Sequence, residues 1–246
     1  MRLNGKVAVI TGAGSGMGLA MARRFAAEGA KLVLGDWNAD RLNGAVEELR
    51  ASGGDATGAQ GDISNRASAE ALIDLAVSTH GRIDILVNNA GVMDYMAGVA
   101  EVTDDIWRKV FAINLDGPMF TMRRAIPRMV EHGGGSIVNI ASVGGIHGGA
   151  AGAAYTAAKH ALVGLTKNTA WMYAPNGVRT NAIAPGGTKT NIGESMPQDR
   201  INREGAARLG AYQALIPAML EPEDIAALAL FLASDVAACI NGALMT

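Results

Sequence analysis

The chain has 246 residues, 49% of them hydrophobic and 18% charged, which supplies a large apolar core and is not the composition of a disordered chain. Its net charge of −2 gives no electrostatic reason to expect nucleic acid or an anionic membrane as a partner. One cysteine, Cys239, excludes an internal disulfide and suits a reducing compartment. The sequence has neither a signal-peptide pattern nor an apolar stretch of membrane-spanning length. We therefore predict a cytoplasmic protein.

Short apolar runs alternate with longer helical patterns along the chain. The runs predict six strands, at 6–11, 31–36, 56–62, 83–88, 136–142 and 179–184. The longer patterns predict helices at 18–28, 39–51, 65–80, 104–131 and 152–173. Several strands are nearly continuous apolar runs, which is typical of strands buried on both faces. The alternation predicts an α/β fold: one Rossmann-like domain over residues 1–246, a doubly wound parallel sheet with helices on both faces.

The segment 188–220 interrupts this alternation and mixes charged with apolar residues. Its larger apolar side chains are Met196, Ile201, Leu209, Tyr212, Leu215, Ile216 and Met219. Such a segment fits a lid that closes over a bound cofactor and substrate and excludes water.

A glycine-rich loop, TGAGSGMG at 11–18, joins the first predicted strand to the first predicted helix. Glycines there permit a tight turn and let backbone N–H groups approach a pyrophosphate at the helix N-terminus. A Walker phosphate loop would end in Gly-Lys-Ser/Thr, which this loop does not. We predict a dinucleotide site that includes Gly12, Ser15, Gly16, Met17 and Gly18.

Asp36 ends the second predicted strand, eighteen residues after Gly18. A carboxylate there accepts hydrogen bonds from the adenosine ribose and repels a 2′-phosphate. The loop 12–18 contains no arginine or lysine, and Trp37 follows Asp36. These features favour NAD over NADP. Asp62, followed by Ile63, is predicted to lie at the adenine of the same cofactor.

Tyr155 and Lys159 are four residues apart in the stretch YTAAK, which places them on nearly the same face of a helix. For an isolated pair of this kind, a packed tyrosine and a solvated lysine is the simpler interpretation. However, reducing a ketone by hydride transfer requires a proton donor, and a cation one turn away would lower a tyrosine pKa from about 10. Ser142, at the carboxyl end of a parallel strand, can hydrogen-bond the substrate oxygen.

Pro118 stands four residues after Asn114 within a predicted helix. Because proline has no N–H, the carbonyl of Asn114 loses its helical partner. That carbonyl could hold a water molecule bonded to Lys159. A purely structural kink is the alternative.

These motifs together resemble the short-chain dehydrogenase/reductase family over nearly the whole chain. They are TGAGSGMG at 11–18, NNAG at 88–91, Asn114, Ser142, YTAAK at 155–159 and the pair PG at 185–186. The resemblance implies an oxidoreductase acting on CH–OH groups, with Asn114, Ser142, Tyr155 and Lys159 catalytic and Asn114 in a proton relay. It implies further cofactor contacts from Asn89, Gly91, Tyr155, Lys159, Pro185, Gly186 and Thr188.

The loop after Ser142, VGGIHGGAAGAA, carries almost no bulk and suggests a roomy or mobile substrate pocket. His147 is predicted to line its entrance, so Ser142, His147 and Tyr155 form the predicted substrate set. A serine hydrolase is disfavoured because Ser142 does not lie in Gly-x-Ser-x-Gly. The four histidines show no metal-ligand spacing, and we predict no metal.

The resemblance also implies a homotetramer or homodimer paired through the helices at 104–131 and 152–173. Relatives generally continue past INGALM with an Asp-Gly-Gly turn, whereas this sequence stops at Thr246. We therefore expect a shortened last strand and fewer contacts from the tail.

Three functions remain open on the sequence. The first is an NAD-dependent alcohol or hydroxysteroid-type dehydrogenase that acts on a small secondary alcohol or its ketone, with neither nucleic acid nor membrane as a partner. The second is a 3-oxoacyl-(acyl-carrier-protein) reductase, which would draw on NADPH and a basic surface. The third is a dinucleotide-binding regulator without turnover, which has no need of the residues Ser142, Tyr155 and Lys159.

Overall fold

The computed structural model describes residues 1–216 and 218–246, without the side chains of Tyr212 and Gln213. The Tyr212 side chain, assigned above to the lid, therefore lies outside the described residues. The described residues form seven strands: β1 Val7–Thr11, β2 Lys31–Asp36, β3 Asp55–Gln60, β4 Ile85–Asn88, β5 Gly135–Ile140, β6 Val178–Ile183 and β7 Leu244–Met245. They form one sheet in the order β3-β2-β1-β4-β5-β6-β7, with every neighbouring pair parallel.

Helices cover both faces of this sheet. They are α1 Gly16–Ala27, α2 Ala39–Ala51, α3 Arg66–His80, α4 Asp104–Phe111, α5 Gly117–Glu131, α6 Ala153–Tyr173, α7 Arg203–Gln213 and α8 Pro222–Ala233. Alternate residues of β1 face opposite layers: Ala8 and Ile10 pack with α1, α2 and α8, whereas Val7 and Val9 pack with α3 and α5. This arrangement confirms the predicted α/β fold. The strand order reverses between β1 and β4, which is where such sheets bind ligands.

Several predicted boundaries were wrong in ways that matter for the site. The predicted helix 104–131 is divided by a π-helical turn, Ala112–Asp116, next to Pro118, which lacks the N–H that a regular helix would need there. β3 and β5 end at Gln60 and Ile140, so Asp62 and Ser142 lie in the loops beyond their strands. β7 has two residues.

The helices α7 and α8 were not predicted. α7 lies inside the segment 188–220, whose mixed polarity hides a helical period. α8 carried a readable start signal: Glu221 and Asp224 form a reciprocal capping box, and Pro222 follows the cap. Across residues 1–216 and 218–246, no helix combines the length and apolarity needed to cross a membrane.

Candidate active site

The glycine loop after β1 has a backbone that favours glycine at three positions. Gly12 and Gly16 have φ of +64° and +51°, and a Cβ at Gly18 would lie 2.0 Å from the carbonyl oxygen of Gly12. Ser15 begins α1 without capping it through its side chain. No side chain caps the N-terminus of α1, and its first turn contains no acidic residue. Its N–H groups are therefore available to the pyrophosphate of a dinucleotide.

Asp36 lies directly beneath this loop and is 8% exposed. Its Oδ2 accepts a hydrogen bond from the N–H of Gly14 at 2.9 Å, and its Oδ1 accepts one from the N–H of Asn38 at 2.9 Å. The carboxylate is therefore fixed at the carboxyl end of β2, where the sequence analysis placed the adenosine ribose.

Arg41 was overlooked in the sequence because it follows β2 by five residues. Its Cβ lies 2.9 Å from where a Cβ of Gly14 would be, so it adjoins the glycine loop. Its guanidinium forms an ion pair with Glu194 at 2.6 Å. A cation at this place bears on cofactor choice, because it can attract a 2′-phosphate when it leaves Glu194.

The remaining predicted adenine-side residues differ in their surroundings. Asp62 is exposed, and its Oδ1 accepts hydrogen bonds from the N–H and Oγ of Ser64. Ile63 packs against Gly117. The Nδ2 of Asn89 donates to the carbonyls of Thr11 and Gly12 at 3.0 Å each, which ties the end of β4 to the glycine loop.

One atom of Asn89 fits an incoming ligand. Its Oδ1 is buried and has no hydrogen-bond partner in the described part of the chain, and a buried acceptor of this kind is rarely left unpaired. Gly91 borders both Asn114 and Lys159: a Cβ there would lie 3.3 Å from Oδ1 of Asn114 and 3.6 Å from Nζ of Lys159. Cofactor contacts by these residues stay predictions.

Ser142 and Tyr155 meet although they are thirteen positions apart in the sequence. The Ser142 hydroxyl is near enough to the Tyr155 phenol to lower its pKa, and Ser142 Oγ accepts a hydrogen bond from the N–H of Gly144 at 3.0 Å. A Cβ at Gly144 would lie 3.3 Å from Cε1 of Tyr155 and 3.4 Å from Oγ of Ser142. The bare loop that follows Ser142 therefore lets the two side chains approach.

Lys159 is buried beside them, 3% exposed. Its Nζ donates to the carbonyl of Ile140 at 2.8 Å and lies 5.6 Å from the centre of the Tyr155 ring. Burial lowers the pKa of Lys159 from 10.5 to about 8.

The expected lowering of the Tyr155 pKa by Lys159 is not found in the protein alone. Burial raises the pKa of Tyr155 to about 12, opposed by the hydrogen bond from Ser142 and reinforced by the negative charge of Asp94. The physical reason is that both groups are dehydrated, and the ammonium group is directed at the Ile140 carbonyl.

Asn114 lies in the π-helical turn and is fully buried. Its side chain makes a reciprocal pair with Val92: Oδ1 accepts from the backbone N–H and Nδ2 donates to the carbonyl, each at 2.9 Å. Asn114 therefore anchors the loop after β4 beside Lys159. The proton relay through its own carbonyl stays a prediction.

A buried polar network beneath the site was missed in the sequence. Nδ2 of Asn88 donates to Oδ1 of Asn139 at 2.8 Å, and Thr121 Oγ1 donates to Oδ1 of Asn88 at 2.6 Å. Nδ2 of Asn139 also donates to Thr166 Oγ1 at 2.9 Å. The network ties β4 and β5 to α5 and α6. Its signal was an asparagine within each of two otherwise apolar strand runs, ILVN and IVNI.

The loop after β6 lies against the loop that carries Ser142, since the carbonyl of Pro185 accepts from the N–H of Val143 at 3.0 Å. Thr188 Oγ1 donates to the carbonyl of Gly186 at 3.3 Å, and Thr188 pairs with Leu220 in a parallel bridge. His147 is exposed in the loop after Ser142. Within residues 1–216 and 218–246, no three His, Cys, Asp or Glu side chains converge as metal ligands do.

The segment 188–220 contacts both halves of the site. A Cβ at Gly16 would lie 3.3 Å from Cβ of Thr190, and Ser195 Oγ accepts from the N–H of Met93 at 3.1 Å. The guanidinium carbon of Arg200 lies 4.6 Å from the centre of the Tyr95 ring. The position suits the predicted lid, whose closure stays a proposal.

A family model described as short chain dehydrogenase matches residues 6–201. The chain belongs to this family. Similarity extends over its whole length: a 3beta-hydroxysteroid dehydrogenase 2 of Eggerthella lenta is 44% identical over 245 residues, which cover 99% of this chain and 94% of that relative. The short-chain dehydrogenases act on alcohols and ketones and bind a nicotinamide dinucleotide, so this chain is an oxidoreductase of that kind.

Two solved structures are similar throughout. The crystal structure of levodione reductase superposes with a TM-score of 0.90 at 36% identity, covering 99% of this chain and 96% of that one. A protein described as an NAD(P)-dependent gluconate 5-dehydrogenase from Beutenbergia cavernae, with bound NADP, superposes with a TM-score of 0.86 at 38% identity, covering 99% and 95%.

Proposed function

We propose that this protein is an NAD-dependent dehydrogenase that interconverts a secondary alcohol and its ketone, with Tyr155 as the proton donor and acceptor. The observation that carries the proposal is that Ser142 and Tyr155 meet at Gly144, where a Cβ would lie 3.4 Å from Oγ of Ser142 and 3.3 Å from Cε1 of Tyr155. The buried Lys159 lies beside them. This group lies at the carboxyl edge of the sheet, next to the glycine loop that suits a dinucleotide.

Each side chain then has a separate task. Ser142 donates a hydrogen bond to the substrate oxygen and stabilises the charge that develops there. In reduction the Tyr155 hydroxyl gives its proton to that oxygen, which suits a phenol whose pKa is about 12 and which is therefore protonated near neutrality. The bound nicotinamide supplies the hydride in reduction and accepts it in oxidation. Lys159 can replace the proton that Tyr155 gives up, because its own pKa is about 8.

In oxidation Tyr155 must accept the proton of the alcohol. A phenol with a pKa of about 12 is a poor base at neutrality, because its ionised form is scarce. Additional positive charge near the ring would lower that pKa. The oxidised nicotinamide would supply such a charge when bound, since Lys159 by itself does not lower the pKa of Tyr155, and we expect oxidation to speed up with rising pH.

The choice of NAD over NADP is supported by Asp36, whose fixed carboxylate lies where a 2′-phosphate would be repelled. The positive charge of Arg41 would favour NADP, but Arg41 forms an ion pair with Glu194. The solved relative with bound NADP shows that a similar chain binds the phosphorylated form. Cofactor choice is therefore assigned here on the charge at position 36.

The exposed apolar side chains of α6 and α4 support the proposed homotetramer or homodimer. Trp171 is 81% exposed and Met172 58% exposed near the end of α6, and Trp107 stacks on Phe111 at the end of α4. Faces of this kind are commonly covered by a second copy. Light scattering of the purified protein at two concentrations tests this, and a monomer at both would contradict it.

Two assays test the function. NADH and NADPH are titrated separately by their fluorescence, and turnover is then measured with 3β-hydroxysteroids, vicinal diols, cyclic alcohols and β-ketoacyl thioesters. We expect tighter NADH binding and turnover of an alcohol or ketone in the first three groups. Turnover confined to thioesters with NADPH would favour the carrier-protein reductase. Tight dinucleotide binding without any turnover would favour the regulator.

A further inference from the structure

The catalytic helix α6 begins without a cap of its own. Gly152 is its N-cap residue and offers no side chain to the first-turn N–H groups. Tyr155 is the third residue of this helix. The N–H at this position is one of the two from which an N-cap side chain ordinarily accepts a hydrogen bond.

A carboxylate from a different part of the chain takes that place. Asp94, in the loop after β4, accepts from the N–H of Tyr155 through Oδ2 at 3.0 Å and from the N–H of Gly152 through Oδ1 at 3.1 Å. Oδ1 also accepts from the N–H of Met96 at 3.0 Å. Asp94 is 1% exposed and forms no ion pair among the described residues. Its charge is balanced by these three N–H groups and by the positive end of α6.

The contact is too close for any other cap. A Cβ at Gly152 would lie 2.6 Å from Oδ2 and 2.7 Å from Oδ1 of Asp94, so a serine or aspartate at 152 would displace the carboxylate. The next helical N–H, that of Ala153, donates to the carbonyl of Ala97 at 2.8 Å. The loop 94–97 therefore fixes where α6 begins.

We propose that Asp94 is a positioning residue for Tyr155: its carboxylate holds the first turn of α6 in place and thereby aims the phenol at Ser142 and the substrate oxygen. The proposal rests on the proposed function, in which Tyr155 transfers the proton. A helix start displaced by a fraction of an ångström would move the phenol by a similar distance, and misplacement on this scale is costly in catalysis.

Asp94 also acts on Tyr155 through its charge. The negative carboxylate raises the pKa of Tyr155 and so keeps the phenol protonated. The other polar groups beside the phenol are Ser142, from the loop after β5, and Lys159, from α6. From α4 and the segment 188–220, the side chains that pack in the same cluster as Tyr155 are the apolar Ile106 and Met196. Removing the Asp94 charge should therefore shift the titration of Tyr155 to lower pH.

The chain offers a matched control in Asp84. This second buried carboxylate is 6% exposed and accepts from the N–H of Val7 at 2.8 Å, but it lies at the opposite, amino end of β4. Asp94→Asn and Asp84→Asn each replace one hydrogen-bonded carboxylate by an isosteric amide. Both variants should lose stability, and only Asp94→Asn should affect Tyr155.

The experiment compares both variants by pH–rate profiles in the two directions and by amide hydrogen exchange of the segment 152–156. For Asp94→Asn we expect kcat to fall by about tenfold or more with the KM for the dinucleotide little changed. We also expect the Tyr155-dependent limb of the profile to move to lower pH, and the segment 152–156 to exchange faster. For Asp84→Asn we expect the wild-type profile and wild-type exchange in that segment.

An Asp94→Asn profile and exchange pattern equal to those of Asp84→Asn would overturn the proposal. If Asp94→Asn does not fold, Gly152→Ala, which pushes a methyl group against the carboxylate, is measured in the same way and must show the same kcat loss and fast exchange. Tyr155→Phe separates the two claims: if it keeps turnover, the proposed function fails. If it abolishes turnover while Asp94→Asn behaves like the control, only the role of Asp94 fails.

Discussion

Gly12 and Gly18 face each other across the glycine loop, with the position of a Cβ at Gly18 only 2.0 Å from the carbonyl oxygen of Gly12. Gly18→Ala must therefore open the loop. We expect a loss of about 1–3 kcal/mol in the free energy of unfolding and a loss of at least about tenfold in NADH affinity, the equivalent of about 1.4 kcal/mol.

Urea unfolding and fluorescence titration measure the two effects. The matched change is Gly44→Ala, because Gly44 lies within α2 and a Cβ there would meet nothing within 4 Å. It should stabilise the protein by about 0.5–1 kcal/mol without affecting NADH. Equal NADH affinity in the two variants would show that the loop does not hold the dinucleotide.

Asp36→Ala should weaken the preference for NADH. The carboxylate is buried and held by the N–H groups of Gly14 and Asn38, so its removal deletes both the ribose acceptor and the repulsion of a 2′-phosphate. A loss of about 10- to 100-fold in the ratio of NADH to NADPH affinity corresponds to a charged hydrogen bond of about 1.5–3 kcal/mol. Asp40→Ala, an exposed carboxylate in the first turn of α2, is the control. An unchanged ratio in Asp36→Ala would remove the assignment of Asp36 to the ribose.

Gly205→Ala should hinder the lid. A Cβ at Gly205 would lie 1.9 Å from the carbonyl oxygen of Met96, and Met96 already has φ of +62°, an uncommon value for a residue with a side chain. The substitution must therefore push α7 away from the loop 94–97. We expect kcat and KM to change together, by about tenfold in kcat/KM.

Gly210→Ala in the same helix meets nothing within 4 Å, so steady-state kinetics of this variant should resemble those of the wild type. Similar kinetics for both variants would mean that the contact between α7 and Met96 has no part in turnover.

Lys159→Met should remove a pH dependence of stability. Burial lowers the pKa of Lys159 from 10.5 to about 8, so between these two pH values the unfolded chain binds more protons than the folded one, and stability from this group rises with pH. Tyr155, whose pKa is raised from 10.0 to about 12, acts in the opposite direction, mainly above about pH 10.

The free energy of unfolding in urea is compared at about pH 7 and about pH 9.5, within the range that linkage defines. The wild type and Lys167→Met, which changes an exposed lysine of α6, should both gain stability from Lys159 at the higher pH. Lys159→Met should gain less by the corresponding amount. An identical gain in all three proteins would contradict the lowered pKa.

The sequence was sufficient for features that depend on local pattern. The dinucleotide site was predicted from the apolar runs of β1 and β2, the glycine loop that follows β1 and Asp36 at the end of β2. The pair Tyr155 and Lys159 followed from helical spacing, and Ser142 from its place near the end of a strand. In each case the residues that signal the feature are close in sequence, or the parallel sheet brings the strand ends to one edge.

Features that depend on distant contacts could not be predicted. Asp94 lies in a loop without a recognisable motif, and its importance follows only from meeting Gly152 and Tyr155, the latter 61 residues away. The position of Arg41 beside the glycine loop likewise follows only from its contacts with Gly14 and Glu194. The pKa of Tyr155 moved opposite to the prediction because helical spacing shows that Lys159 is near but not how much water burial removes.

The central claim is that the Tyr155 hydroxyl transfers the proton, and Tyr155→Phe tests it most directly. Single-turnover hydride transfer is measured with the best substrate of the panel, beside Tyr173→Phe, a tyrosine at the end of α6 that is 37% exposed. We predict that Tyr155→Phe binds NADH like the wild type and loses at least about 10²-fold in rate, whereas Tyr173→Phe keeps the wild-type rate. A wild-type rate in Tyr155→Phe would contradict the account.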